Sequence, residues 1–273
     1  MLLSVSCSQN AGTQAQEPLF TMASPDGNLT MGFYMTPEGT PQYSLDFQGR
    51  PVVLPSSLGY ELRGNLKAQK VVVAPDKVTK EDRDPSYMFN TGFEVLSVDN
   101  ESVDETWTPV WGEESSIRNN YNEMTVELAQ GDKRLVLRFR LFDDGLGFRY
   151  EFPEQPSLTY FVIKEELTEF RMAGDHTAYW IPGDFDTQEY QYTECRLSEI
   201  AGRFEAALCP NDSQTPFSPN GVQTSLQMKS DDGLYINIHE AALENYGAMH
   251  LLLDPKTLTF TSFITPEAIP WRY

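Results

Sequence analysis

The sequence predicts an all-β protein made of antiparallel sheets, and three observations predict it. Apolar residues recur with period two, Pro and Gly turns separate the runs at short spacing, and no segment of a dozen residues holds a clean i, i+3, i+4, i+7 apolar stripe. In chain order, "LTMGFYM" (29–35) and "QYSLDFQ" (42–48) alternate around the turn "TPEGTP" (36–41), and "SPDGN" (24–28) supplies the turn before them. "FEVLSV" (93–98) and "NEMTVELAQ" (122–130) read as strands with one face buried and one wetted. "RLVLRFRLF" (134–142) sets Leu135, Leu137, Phe139 and Leu141 against Arg138 and Arg140, and "DDG" at 143–145 turns the chain. A segment at 192–208, "YTECRLSEIAGRFEAAL", comes closest to a helical pattern and predicts a short helix or turn. "VQTSLQMK" (222–229) and "GLYINIHE" (233–240) flank a second "DDG" at 231–233, and "LTFTSFI" (258–264) is the last strand. Many strands at short spacing mean a β-sandwich or barrel.

The chain has 273 residues, 40% of them hydrophobic, enough for one large all-β domain or two smaller ones. Forty acidic residues against twenty basic ones give a net charge of −20. A surface that acidic repels nucleic-acid phosphates and anionic lipid head groups, so neither is expected as a partner. It is compatible with neutral sugars and divalent cations, although the charge by itself is read as solubility. The three cysteines, Cys7, Cys195 and Cys209, form no CxxC pair or Cys/His cluster, which argues against structural zinc. A Cys195–Cys209 bridge is not implied. No run approaches the roughly 18–20 apolar residues that span a bilayer. Residues 1–17 contain a short apolar run, small residues, Cys7 and a polar tether, similar to the end of a bacterial lipoprotein signal but without a basic start or a full apolar core. The reading is export, to the periplasm or as an outer-membrane lipoprotein.

Three constellations could carry chemistry. In "DETWTPVWGEESSIRNNYNEM" (104–124), Trp107 and Trp111 stand among Glu113, Glu114, Arg118, Asn119 and Asn120. Aromatic faces with amide and acid side chains suit sugars, whose C–H faces stack and whose hydroxyls hydrogen-bond. Trp is more often a core anchor, however, and Arg118 among acids reads as a structural ion pair, so the residues alone favour a structural role. Between 175 and 199 stand six carboxylates, Asp175, Asp184, Asp186, Glu189, Glu194 and Glu199. A hard cation such as Ca²⁺ needs about six to eight oxygens, and this spacing matches no EF-hand loop; acid runs of this kind are usually solvated. His176 beside Asp175 and His239 beside Glu240 are candidate proton-transfer units, each read first as a surface or hydrogen-bonded histidine. With forty acids no catalytic carboxylate pair can be chosen, and no GxSxG, HExxH or P-loop occurs.

The blocks "SPDGNLTMGF", "SSLGYEL", "WTPVWGEESSIRNNYNEMTVEL", "FRLFDDGLGFRYEFP", "GDHTAYWIPGDFDTQEYQYTECRLSEI", "SQTPFS" and "DDGLYINIHEAAL", in this order, resemble the N-terminal region of glycoside hydrolase family 97, the α-glucosidases and α-galactosidases of Bacteroidetes starch utilisation. The resemblance implies an antiparallel β-super-sandwich similar to galactose mutarotase over residues 18–266, with 267–273 leading toward a catalytic (β/α)₈ barrel. It implies that the catalytic residues lie in that barrel, so none is assigned in this chain. It also implies that Glu189, in "DTQEY", helps hold a Ca²⁺ whose other ligands are barrel glutamates. The sequence departs from the family after "TSFITPEA", closing with "IPWRY" at Tyr273. The expectation is an accessory domain without catalytic machinery, contributing Glu189 and one wall of a sugar site. The face meant for the barrel is expected to promote self-association. An alternative is a stand-alone carbohydrate-binding module, with Trp107, Trp111 and Trp180 as the substrate-binding candidates.

Overall fold

The computed structural model describes residues 16–63, 87–159, 161–209, 214–244 and 246–264. The Cys7 tether and the 267–273 tail lie outside the described residues. Strand is the dominant structure, and among the described residues all pairings are antiparallel, as expected from the period-two pattern. Among the described residues there is one α-helix, α1 (Ile200–Ala207), which falls where the sequence comes closest to helical periodicity.

An eight-stranded sheet spans the molecule. Its order is β1 (Phe20–Ala23), β2 (Leu29–Met35), β3 (Pro41–Phe47), β4 (Arg50–Ser57), β12 (Glu169–Met172), β19 (Thr259–Ile264), β18 (Met249–Asp254) and β15 (Gly221–Gln223). Two four-stranded sheets accompany it. One runs β10 (Leu146–Glu151), β9 (Lys133–Leu141), β8 (Ile117–Gln130), β7 (Glu94–Trp107); the other runs β14 (Thr193–Arg196), β13 (Thr177–Trp180), β16 (Leu226–Lys229), β17 (Tyr235–Ile238). A small sheet joins β11 (Val162–Glu166), β5 (Tyr60–Arg63) and β6 (Met88–Phe89).

Each four-stranded sheet closes its own core. Met31, Phe33 and Tyr43 meet Val126, Leu137 and Phe139 in the first core. Leu251, Leu253 and Phe260 meet Trp180, Met228 and Ile200 in the second. Phe170 and Ile236 pack against both. The β9 alternation is realised in full: Leu135, Leu137, Phe139 and Leu141 are completely buried. The intervening Arg138 and Arg140 turn outward to share the buried carboxylate of Glu123, and Arg138 also binds Glu151 at 2.7 Å. Burial works to raise the Glu123 pKa, but the two guanidinium hydrogen bonds outweigh it and leave the carboxyl below its ordinary value.

Two elements differ from the sequence reading. The run 222–229 is not one strand: it breaks at Thr224 and Ser225, and its halves belong to different sheets. Local alternation carries no information about such a switch, because both halves bury one face. The short strands expected at 93–98 and 122–130 are parts of a longer hairpin in which β7 and β8 have fourteen residues each. β7 is largely exposed along its length, since it is the outer strand and the hairpin continues beyond the sheet that covers the core.

Candidate functional site

The acidic stretch after Trp180 folds as a loop pinned to the segment 215–223. Gly183 donates its N–H to Gly221 O at 2.9 Å, Phe217 N–H returns to Gly183 O at 3.1 Å, and Gln223 N–H reaches Ile181 O at 3.2 Å. The Phe217 ring lies directly over Gly183 and Gly221, and a Cβ at either position would collide with it. Phe185 and Phe263 stack around Phe217 with centroids 5.6 and 4.4 Å away.

Asp184 organises this loop. Its side chain is 2% exposed. Its Oδ1 accepts the Asp186 N–H at 2.7 Å and the Thr187 N–H at 3.0 Å, while Oδ2 accepts the Tyr190 hydroxyl and the Thr215 N–H, both at 2.7 Å. Burial pushes the carboxyl pKa up, but the Tyr190 hydroxyl and the three backbone donors outweigh it, so Asp184 stays ionised below its ordinary range. Gln223 adds a second staple, donating to Pro182 O at 3.0 Å and Thr187 O at 2.7 Å. The spacing D-x-D-T, in which an aspartate accepts the N–H groups two and three residues on, is an Asx-type turn and was the readable signal for this role.

Glu189 rides on this frame. Its backbone N–H is held by Thr187 Oγ1 at 3.1 Å and its side chain is exposed. Three of the neighbouring carboxylates are committed to other partners. Asp184 is saturated by its donors, Asp186 accepts Thr215 Oγ1 at 2.6 Å, and Asp175 accepts the Ser198 N–H and hydroxyl at 2.9 and 2.7 Å. Among the described residues no group of three or more His, Cys, Asp or Glu side chains could hold a metal. The six acids of the sequence therefore do not converge. A single exposed carboxylate such as Glu189 does not fit a Ca²⁺ site by itself.

The tryptophans separate. Trp180 is 1% exposed in the second core, where its indole N–H donates to Cys195 Sγ at 3.2 Å. A sugar cannot reach that ring, and its expected place among the substrate-binding candidates is corrected accordingly. Trp107 and Trp111 are 51% and 88% exposed at the end of the β7–β8 hairpin, beside the fully exposed Val110. The core-anchor reading of that pair is thus also corrected, because the hairpin carries them beyond the sandwich. The ion-pair reading of Arg118 holds: it grips Asp104 with two hydrogen bonds of 2.8 Å. His176 is buried, and burial lowers its pKa. His239 is exposed and bonded to Ser225 at 2.7 Å. Cys195 and Cys209 are both free thiols.

Known proteins bear on this architecture. Residues 22–273 match the family model for the glycosyl-hydrolase 97 N-terminal region. A retaining alpha-galactosidase of Bacteroides thetaiotaomicron is 26% identical over 267 residues, covering 92% of this chain and 32% of that protein. A glycoside hydrolase family 97 enzyme from Pseudoalteromonas sp. strain K8, solved with acarbose, superposes with a TM-score of 0.70 at 29% identity, covering 93% of this chain and 34% of that one. A beta-arabinopyranosidase at 18% identity shares the fold with a TM-score of 0.66. The chain spans about a third of the length of these relatives. An all-β double-core sandwich, matched over nearly its whole length, belongs to the glycosyl-hydrolase 97 N-terminal family.

Proposed function

We propose that this chain serves as the non-catalytic N-terminal domain of a family 97 glycoside hydrolase acting on α-glucosides or α-galactosides. In this reading Glu189 is one ligand of a Ca²⁺ whose remaining ligands come from a catalytic (β/α)₈ barrel, and the loop around it forms one wall of the sugar site. The observation that carries the reading is the presentation of Glu189: a solvent-facing carboxylate on a loop that Asp184 and Gln223 hold fixed. A rigid frame under an uncommitted ligand suits a site completed from outside.

The experiment is calorimetric. The chain alone is expected to bind Ca²⁺ no more tightly than the millimolar end of protein sites and to leave p-nitrophenyl α-glucoside and α-galactoside intact. Joined to a family 97 barrel, the wild-type domain is expected to support Ca²⁺-dependent turnover, and Glu189→Gln to weaken Ca²⁺ binding by about tenfold or more. Micromolar Ca²⁺ binding by the isolated chain, or a Glu189→Gln fusion with unchanged Ca²⁺ affinity, overturns the assignment.

A second reading, a carbohydrate-binding module, is favoured by the exposure of Trp107 and Trp111. Saturable maltooligosaccharide binding that disappears in Trp111→Ala would support it. For cellular address, we propose acylation at Cys7 and an exported protein; a native N-terminus that retains an unmodified Met1 in a cytosolic fraction refutes this.

A further inference from the structure

The two four-stranded sheets do not join. β10 ends one and β17 ends the other. Among the described residues each pairs with a single strand, β9 and β16 respectively. Each therefore presents one edge of backbone N–H and C=O groups with no strand of the described residues against it. Both strands line one cleft of about 1490 Å³. That is larger than a typical small-molecule pocket of about 300–1,000 Å³.

The apolar layer thins at these edges. On β9 the inward side chains are completely buried, but one strand away Leu146, Phe148 and Tyr150 are only half-buried. Leu234 and Ile236 on the opposite side are half-buried as well. The charge around the opening is one-sided. Asp143, Asp144, Glu154 and Glu244 line it, and the arginine there, Arg149, is already paired with Glu151. Deeper in the cleft Glu166 accepts Thr168 Oγ1 at 2.7 Å and the Tyr246 hydroxyl at 2.6 Å, and it has no lysine or arginine partner among the described residues. Glu240 shares the cleft and accepts the Met249 N–H at 2.9 Å.

We propose that this cleft is a strand-addition site, which takes an extended peptide segment of a protein partner carrying alternate apolar side chains and at least one lysine or arginine. Each feature of the segment answers an observation. Backbone pairing uses the open edge of β10 or β17. The alternate apolar side chains continue the layer that stops at Phe148 and Ile236, at the period of two that a strand imposes. The basic residue meets the carboxyl groups of Glu166 and Glu240, which have hydrogen-bond donors but no lysine or arginine partner among the described residues. A small apolar ligand would leave the backbone edges unused, and an acidic segment would meet the rim with like charge.

The test uses the full chain and a fluorescent nine-residue peptide that alternates valine with lysine or threonine, followed by anisotropy. Saturable binding is expected. It should weaken by about tenfold or more when alternate peptide amides are N-methylated, and again when glutamate replaces lysine. Glu166→Gln and Glu240→Gln should reduce the preference for the lysine peptide over its glutamate counterpart. Since those variants also disturb internal hydrogen bonds, the N-methylated peptide, which leaves the protein intact, is the deciding arm. The proposal is overturned if the lysine peptide fails to saturate at about 1 mM, if N-methylation changes nothing, if octylammonium binds where the peptide does not, or if the chain is dimeric by light scattering and saturating peptide dissociates the dimer.

Discussion

Asp184→Ala is expected to lower the stability of this domain by about 3–5 kcal/mol, because a buried carboxylate that satisfies several donors leaves all of them stranded when removed. For a domain of this size that corresponds to a fall in Tm of roughly 10 °C. The loss should be local first. The Asp186, Thr187 and Thr215 amides and the Tyr190 hydroxyl all terminate on this one group, so hydrogen exchange at those three amides should accelerate before the sheets respond. The effect has a defined pH dependence. The folded carboxyl lies below its ordinary pKa, so its contribution is fully present above the unfolded value of about 3.9 and is lost as pH falls through the lower folded value. The Tm difference between wild type and Asp184→Ala should therefore be full at pH 7 and shrink below about pH 4. Asp184→Asn separates charge from shape: it keeps the volume but cannot accept from all four donors, and should fall between the two. A variant whose Tm and amide exchange match wild type at pH 7 would show that Asp184 does not organise the loop, and Glu189 would lose its fixed frame.

Much of the fold was legible because a half-buried strand writes its burial into alternate residues. β2 falls at 29–35 as read, and β9 is offset from its expected run by one residue. What was illegible is relational. Which strands sit at a sheet edge is decided by pairing partners far away in sequence, so nothing in "GLGFRYE" marks β10 as open on one side, and the cleft it borders had no local signature. The hairpin shows the same limit. Its backbone pairs in register out to Trp107 with Ile117, but from Asp104 to Trp107 and from Ile117 to Asn120 no residue is buried; there alternation of hydrophobicity disappears although the strand remains. The acidic stretch failed differently. Residue type places six carboxylates within one segment, but hydrogen-bond geometry separates them, one a buried staple and one an outward, exposed carboxylate. The family resemblance singled out Glu189, which composition could not.

The tryptophans give the second large effect. Trp180→Ala should cost about 3–5 kcal/mol, the range for deleting a large buried aromatic, whereas Trp111→Ala should change stability by no more than about 0.5 kcal/mol. The reason is position. Trp180 fills the second core beside Cys195, Met228 and Ile200, and its removal leaves a cavity between the eight-stranded sheet and β13 that the surrounding strands cannot close without breaking their ladders. Trp180→Phe should recover most of that loss and still fall short of wild type, because it keeps most of the volume but gives up the N–H bond to sulfur. Thermal denaturation of the three variants checks the order. A Trp180→Ala protein as stable as wild type would mean the ring is not in the core. The contrast also controls any sugar-binding assay on this domain. A loss of binding in Trp180→Ala reports a damaged fold, whereas a loss in Trp111→Ala at unchanged Tm reports a contact, since that ring has almost no packing to lose.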